Sequence, residues 1–114
     1  MAFLIDINGT IIHEGKPIDK MVEYVKNLKE DIYLISGSHE CKKEQYEGIM
    51  KRLGISYKEM ILNPIDENTD ITFKGRVAIT IPDLSLAIDN NKKILAMYQS
   101  MGIKAIHPGD IETS

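Results

Sequence analysis

Short apolar runs alternate with segments of helical periodicity along most of this chain, and this alternation restricts its fold more than any other feature. Apolar runs of strand length lie at 3–5, 31–35, 60–62, 84–88 and 103–106. Between them, apolar residues recur at helical spacing over 18–28, 39–53 and 94–101. The pattern predicts an α/β fold: a doubly wound, Rossmann-like parallel sheet of about five strands with helices on both faces.

Loops are predicted where glycine, proline and short polar residues interrupt these patterns. Gly54 and Gly102 follow the second and third helical segments, at the position where glycine is favoured after a helix. The Ser36-Gly37-Ser38 stretch is expected to end the second strand in a loop, and 66–70 is expected to be a polar connection.

Composition restricts the class of protein. With 114 residues, 43% of them hydrophobic, the chain is expected to form a single domain over 1–114. Its lone cysteine, Cys41, indicates a reducing compartment and no zinc site, and no apolar run approaches the roughly 18 residues of a membrane span. We therefore expect a cytoplasmic protein with no membrane partner.

The formal net charge of −3 argues against an extended surface for duplex nucleic acid, which requires clustered lysine and arginine. It is compatible with a phosphorylated small molecule or a nucleic-acid end as partner, since a few local groups can hold one phosphate. The sequence leaves the oligomeric state open.

Polar residues follow three of the predicted strands and are expected to share one edge of the sheet, where ligands of such folds bind. They are Asp6, Asn8 and Thr10 after the first strand, Ser36 and Gly37 after the second, and Asp89 and Asn90 after the fourth. Two carboxylates at one edge repel each other unless a cation lies between them, and oxygen ligands favour Mg²⁺. A simpler reading of Asp89 is that it caps the helix that follows.

The segment 3–10, FLIDINGT, resembles the first motif of the haloacid dehalogenase-like (HAD) phosphohydrolases, a hydrophobic strand followed by DxDGT. Ser36, Lys74 and Asp89 resemble the residues of the second, third and fourth motifs in the same order. The short spacing between the motifs resembles the capless branch, which includes the phosphatase domains attached to polynucleotide kinases.

This resemblance implies roles for individual residues. Asp6 would be the nucleophile that forms an aspartyl-phosphate, and Mg²⁺ would be held by Asp6, Asp89 and the backbone carbonyl of Asn8, with Asn90 beside it. Ser36, Gly37 and Lys74 would bind the transferring phosphoryl group. Rivals for the role of Lys74 are Arg76, Lys92 and Lys93.

Asn8 departs from the family pattern, because an aspartic acid at this position normally transfers protons to the leaving group and from water. An amide does neither, and the loss of a general acid/base costs on the order of 10²- to 10⁴-fold in rate. Three explanations stay open: a slow phosphatase that uses another acid or water, a phosphate-binding pseudoenzyme, or an engineered substitution that traps substrate. Asn90, where many relatives have an acid, removes one negative charge from the metal site, and His39 is a candidate surrogate base.

The resulting hypothesis is a Mg²⁺-dependent phosphohydrolase that acts through Asp6 on a nucleotide, a nucleic-acid 3′ end or a small phosphorylated metabolite. The alternative is a phosphate-ligand binding or regulatory protein that keeps the cleft without turnover. A receiver domain of the response-regulator type shares the acidic edge, but the Gly9-Thr10 turn and the early aspartate argue against it.

Overall fold

The computed structural model describes residues 1–64 and 69–111, and helices and strands alternate along them as predicted. In chain order the elements are β1 (Ala2–Asp6), β2 (Ile12–His13), β3 (Lys16–Pro17), α1 (Asp19–Lys26), β4 (Asp31–His39), α2 (Lys43–Leu53), β5 (Glu59–Asn63), α3 (Asp70–Thr80), β6 (Leu84–Ile88), α4 (Lys92–Ser100) and β7 (Ala105–Ile106). Short 3₁₀ turns at Glu40–Lys42 and Pro108–Asp110 complete the set.

Within the described residues, five parallel strands form the central sheet in the order β5-β4-β1-β6-β7. Strand β1 lies in the middle, and chain connections run outward from it in both directions. The predicted α/β class and the five-stranded parallel sheet are confirmed. In such a sheet a crevice opens at the carboxyl ends of the strands where the order reverses, here beside β1 and β6.

The two faces of the sheet are covered by different helix pairs, because alternate residues of a strand point to opposite faces. Ile5 and Leu34 pack with buried residues of α1 and α2, including Met21 and Met50. On the other face, Leu4 and Ile35 pack with buried residues of α3 and α4, including Phe73 and Tyr98. The doubly wound arrangement therefore follows from the register of the apolar runs.

Three details differ from the sequence-based expectation. Strand β4 continues through Ser36-Gly37-Ser38 to His39, with an irregular register between Ser36 and His39, so the predicted loop at this point is wrong. Helix α3 and the small antiparallel β2–β3 hairpin were not predicted. The polar connection expected over 66–70 lies mostly outside the described residues, and α3 begins at Asp70.

Helix boundaries agree with the glycine signals. Gly54 follows α2 in the left-handed conformation (φ 75°), which closes the helix as expected. In the described ranges 1–64 and 69–111, every helix is too short or too polar to cross a membrane.

Candidate functional site

A buried ion cluster joins the ends of β1 and β6 to helix α3. The Lys74 Nζ lies 2.9 Å from Asp6 Oδ1 and 2.6 Å from Asp89 Oδ2. All three side chains are almost completely buried, with at most 4% of each exposed. The cation that separates the two carboxylates in this structure is therefore the lysine ammonium.

Local structure explains how these groups meet. Asp6 is the last residue of β1, and Thr10 Oγ1 donates a hydrogen bond to its second oxygen at 3.1 Å. Asp89 follows β6, and its Oδ1 accepts from the Asn91 backbone N–H at 2.9 Å. Asn91, rather than Asp89, caps α4, because its side chain accepts from Lys93 N and Ile94 N. The interpretation of Asp89 as the cap of this helix is therefore wrong.

The cluster carries one more negative than positive charge in a nearly dry environment. Burial raises the pKa of Asp6 to about 7, although the charge of Lys74 opposes this rise. Burial lowers the pKa of Lys74, but the attraction of Asp6 and Asp89 outweighs it, so the net pKa lies above its ordinary value. The lysine therefore stays charged, and Asp6 is the group on which a proton or an added cation would relieve the excess charge.

The side chain of Asn8 lies in a second polar cluster, formed by three hydroxyl groups. Its Nδ2 lies 2.9 Å from Tyr46 Oη, 3.0 Å from Ser36 Oγ and 3.3 Å from Ser38 Oγ. Ser38 Oγ and Tyr46 Oη are 3.0 Å apart, and the Ser38 backbone N–H donates to Ser36 Oγ at 3.1 Å. The continued strand β4 places both serines here, and the first turn of α2 supplies the tyrosine.

Hydrogen bonding in this cluster favours the ionised form of the Tyr46 hydroxyl. Burial raises the pKa of Tyr46, but hydrogen bonding with Ser38, Asn8 and Ser36, together with the charge of Lys42, lowers it by more, so the net pKa lies below the ordinary value. The cluster is therefore rich in donors.

Both clusters border one cavity of about 430 Å³. Its lining consists of Asp6, Asn8, Gly37, Ser38, Asp70, Lys74, Asp89, Asn90, Asn91 and Ile94. The sequence analysis places seven residues after the predicted strands, and five of them line this cavity: Asp6, Asn8, Gly37, Asp89 and Asn90. Lys74 lines it as well. The other two, Thr10 and Ser36, are fully buried and contact Asp6 and Asn8 respectively.

Two glycines allow close approach at the cavity. Gly9 has a positive φ of 80°, and a Cβ there would collide with the side chain of Asn90. A Cβ on Gly37 would collide with the carboxylate of Asp70. The glycines thus bring β1 against the Asn90 turn and α3 against β4.

The other candidates lie elsewhere. His39 Nδ1 accepts from Cys41 N and caps the 3₁₀ turn, and His39 does not line the cavity. Lys92 and Lys93 are exposed at the start of α4, and Arg76 lines a different cavity of about 650 Å³. Among these basic residues, Lys74 is the one in contact with the carboxylates.

Sequence reasoning missed Ser38, Tyr46 and Asp70. Ser38 lies in the segment predicted as a loop, and Tyr46 lies within the predicted helical segment 39–53, where no site role was predicted for it. Asp70 belongs to α3, whose start is signalled by Thr69: its side chain accepts from Thr72 N, as a helix N-cap does. With that cap recognised, the spacing of Phe73 and Val77 would have predicted the helix.

The oxygen donors at the cavity meet some of the requirements of a bound metal ion. Among residues 1–64 and 69–111, no three His, Cys, Asp or Glu side chains are grouped to hold a metal ion. Asp6, Asp89 and Asn90 line the cavity, and carboxylate and amide oxygens of this kind suit Mg²⁺, which usually takes one or two carboxylates and completes its shell with water and phosphate. The excess negative charge of the cluster is also compatible with a divalent cation.

No family model matches the sequence, and no curated protein matches it. Two solved structures of the Pnkp1/Rnl/Hen1 complex, one of them described as an RNA repair complex, contain a chain with a similar fold. The TM-scores are 0.75 and 0.79, with 14% and 15% sequence identity over 96% of this chain. The chain spans 43% and 47% of the length of those chains, so the likeness establishes a shared fold over less than half of each.

Proposed function

We propose that this chain is a Mg²⁺-dependent phosphohydrolase of HAD type that acts through Asp6. The observation that carries the proposal is the convergence of Asp6, Asp89 and Lys74 at one cavity, at the carboxyl ends of β1 and β6. Gly37 and Ser38 line the same cavity from β4. The four segments that resemble HAD motifs are far apart in sequence. A residue of each lines the cavity or lies directly beside it.

The proposed metal ligands are Asp6, Asp89 and the backbone carbonyl of Asn8, with the Asn90 side chain close by. When bound there, Mg²⁺ would supply positive charge that offsets the charge of a phosphate group. Lys74 supplies positive charge from the protein itself, since it lines the same cavity. Its ammonium is held in place between the two carboxylates.

In the proposed reaction, a carboxylate oxygen of Asp6 attacks phosphorus, and the bond from phosphorus to the leaving-group oxygen breaks. Water then attacks the aspartyl-phosphate, which releases inorganic phosphate and restores Asp6. Thr10 and Lys74 each contact one oxygen of Asp6 and so fix the plane of the carboxylate. The Asn8 amide cannot donate a proton to the leaving oxygen, so that proton comes from water and turnover is slow.

The proposed substrates are a nucleotide, a nucleic-acid 3′ end or a small phosphorylated metabolite. In the described part of the chain, the segment between β1 and α1 holds only the β2–β3 hairpin, which leaves the cavity accessible to a bulky phosphoester. The shared fold with a chain of an RNA repair complex supports the nucleic-acid end in particular.

A second candidate is a phosphate-ligand binding or regulatory protein on the same fold. The Asn8 side chain supports this candidate, because its amide lies within hydrogen-bond distance of three hydroxyl groups and cannot act as a general acid or base. In that case the cavity would bind a phosphate group without turning it over.

Steady-state release of phosphate in the presence of Mg²⁺ tests the proposal. The panel comprises a nucleoside 3′-phosphate, an oligonucleotide with a 3′-phosphate, a sugar phosphate and acetyl phosphate. We expect slow release by the chain itself and a release rate about 10²-fold or more higher for Asn8→Asp on the esters. Asp6→Asn should release no phosphate. Acetyl phosphate should gain least from Asn8→Asp, because its leaving group departs without a proton.

Asp19→Asn, at an exposed aspartate of α1, is the matched control and should release phosphate at the unmodified rate. If Asn8→Asp shows no release that depends on Asp6, the hydrolase proposal is refuted. Saturable phosphate binding without any release would then support the binding protein.

A further inference from the structure

Counting hydrogen atoms in the Asn8 cluster shows a preferred direction of hydrogen bonding. An amide nitrogen carries two hydrogens, but three hydroxyl oxygens lie within 3.3 Å of Asn8 Nδ2. The two closer oxygens belong to Tyr46 and Ser36, at 2.9 and 3.0 Å. These two oxygens make the shorter contacts with the amide, and Ser38 Oγ, at 3.3 Å, is the most distant of its three acceptors.

The contact between Tyr46 and Ser38 decides where the last hydroxyl proton points. Tyr46 Oη accepts from Asn8, and in its 3.0 Å contact with Ser38 Oγ either hydroxyl can donate. When the tyrosine donates, Ser38 Oγ is an acceptor within the cluster and its own hydroxyl proton is left over. Tyr46 and Ser36 are buried behind the cavity wall, whereas Ser38 lines the cavity. The spare donor therefore belongs to the residue that faces the ligand.

We propose that Ser38 is a further phosphate-binding residue, whose hydroxyl donates to an oxygen of the bound phosphoryl group, and that Asn8 and Tyr46 orient it. This inference rests on the proposed phosphate site and adds a residue to it. Tyr46 is a positioning residue, since it acts through Ser38.

An aspartate at position 8 would reverse the direction. A carboxylate is acceptor-only when ionised, so Tyr46 and Ser38 would donate to it or to each other and not to the ligand. Asn8→Asp should therefore do two opposite things: supply a group that can transfer protons and weaken the hold of the cavity on phosphate.

Calorimetric titration of the full chain with inorganic phosphate, with excess Mg²⁺ and without it, measures the affinity of the cavity for phosphate. We expect Ser38→Ala to weaken phosphate binding about tenfold, because a hydrogen bond to a charged group is lost. Tyr46→Phe should weaken binding several-fold in the unmodified chain and not further in a Ser38→Ala background. Matched controls are Ser56→Ala, at an exposed serine, and Tyr24→Phe, at a half-buried tyrosine outside the cavity.

The role of Asn8 is read from a double-mutant cycle. Ser38→Ala should cost about tenfold in the Asn8 chain and less than about twofold in the Asn8→Asp chain. A cost that is equal in both backgrounds would refute the orientation by Asn8. Phosphate binding by Ser38→Ala at the unmodified affinity would refute the whole inference.

These outcomes are distinct from failure of the proposed function. If phosphate release depends on Asp6 but Ser38→Ala binds phosphate at the unmodified affinity, this inference alone is refuted. Phosphate binding that shows the predicted cycle, without any release, leaves the inference standing and refutes the hydrolase. A chain that neither binds nor releases phosphate overturns both.

Discussion

Replacing Lys74 by methionine is the sharpest test of the ion cluster. Methionine keeps most of the length of the side chain and removes the ammonium that lies between Asp6 and Asp89, at 2.9 and 2.6 Å. Two buried carboxylates are then left without a cation. Breaking a buried ion pair in this way costs about 3–5 kcal/mol of unfolding free energy, out of the 5–15 kcal/mol typical of a domain.

Urea denaturation followed by circular dichroism, with EDTA present, measures the loss. At pH 8 we expect the midpoint to fall by roughly 2 M, taking a slope of about 2 kcal/mol per molar urea. The matched control is Lys20→Met, at an exposed lysine of α1, which should change the unfolding free energy by less than about 0.5 kcal/mol.

The loss should depend on pH with a definite sign. The pKa of Asp6 is raised from 3.8 to about 7 in the folded chain, so folded Asp6 binds a proton more readily than unfolded Asp6. Its contribution to stability is therefore present below about pH 4 and is lost as the pH rises through 7. Without Lys74 the pKa of Asp6 rises further, so at pH 5 Asp6 is neutral and no longer requires a cation beside it.

The penalty of Lys74→Met should consequently be smaller at pH 5 than at pH 8, and Asp6→Asn should reduce it at pH 8. A penalty under about 1 kcal/mol at pH 8, or one that grows at pH 5, would show that the lysine does not hold the two carboxylates together.

Two further predictions concern the cavity and the core beside it. Asp70→Asn removes a carboxylate that lines the cavity and has no ion-pair partner within 1–64 and 69–111. We expect calorimetry to show that phosphate binds a few-fold more tightly at low salt, with a smaller gain at high salt. Weaker binding would contradict this prediction. Tyr98→Phe removes a hydroxyl that is buried without a hydrogen-bond partner among the described residues, so urea denaturation should show unchanged stability or a gain of up to about 1 kcal/mol. A loss above about 1 kcal/mol would mean that this hydroxyl has a partner in solution.

The sequence alone determined the fold class, because the spacing of apolar residues decides which segments can bury a face. The apolar runs of β1, β4, β5 and β6 and the periodicity of α1, α2 and α4 are local properties, and each element was found close to its predicted place. Helix α3 was not predicted because its apolar residues are not confined to one face, with Ile71 and Ile79 exposed, and because its start depends on a capping side chain, Thr69, that was not recognised. The predicted loop at Ser36 was wrong because pairing with β5 extends the strand through a Ser-Gly-Ser sequence that favours a turn.

For the site, the sequence determined which chemical groups are present, and the tertiary structure decided what each one contacts. Asp6, Asp89 and the candidate Lys74 were recognisable from motif order, but only the fold showed that the lysine ammonium lies between the two acids. The hydroxyl cluster around Asn8 joins residues up to 38 positions apart, and such contacts depend on the packing of α2 against the sheet. Side-chain contacts of this kind have no local signature, because the free energy that sets them comes from the packing of distant segments.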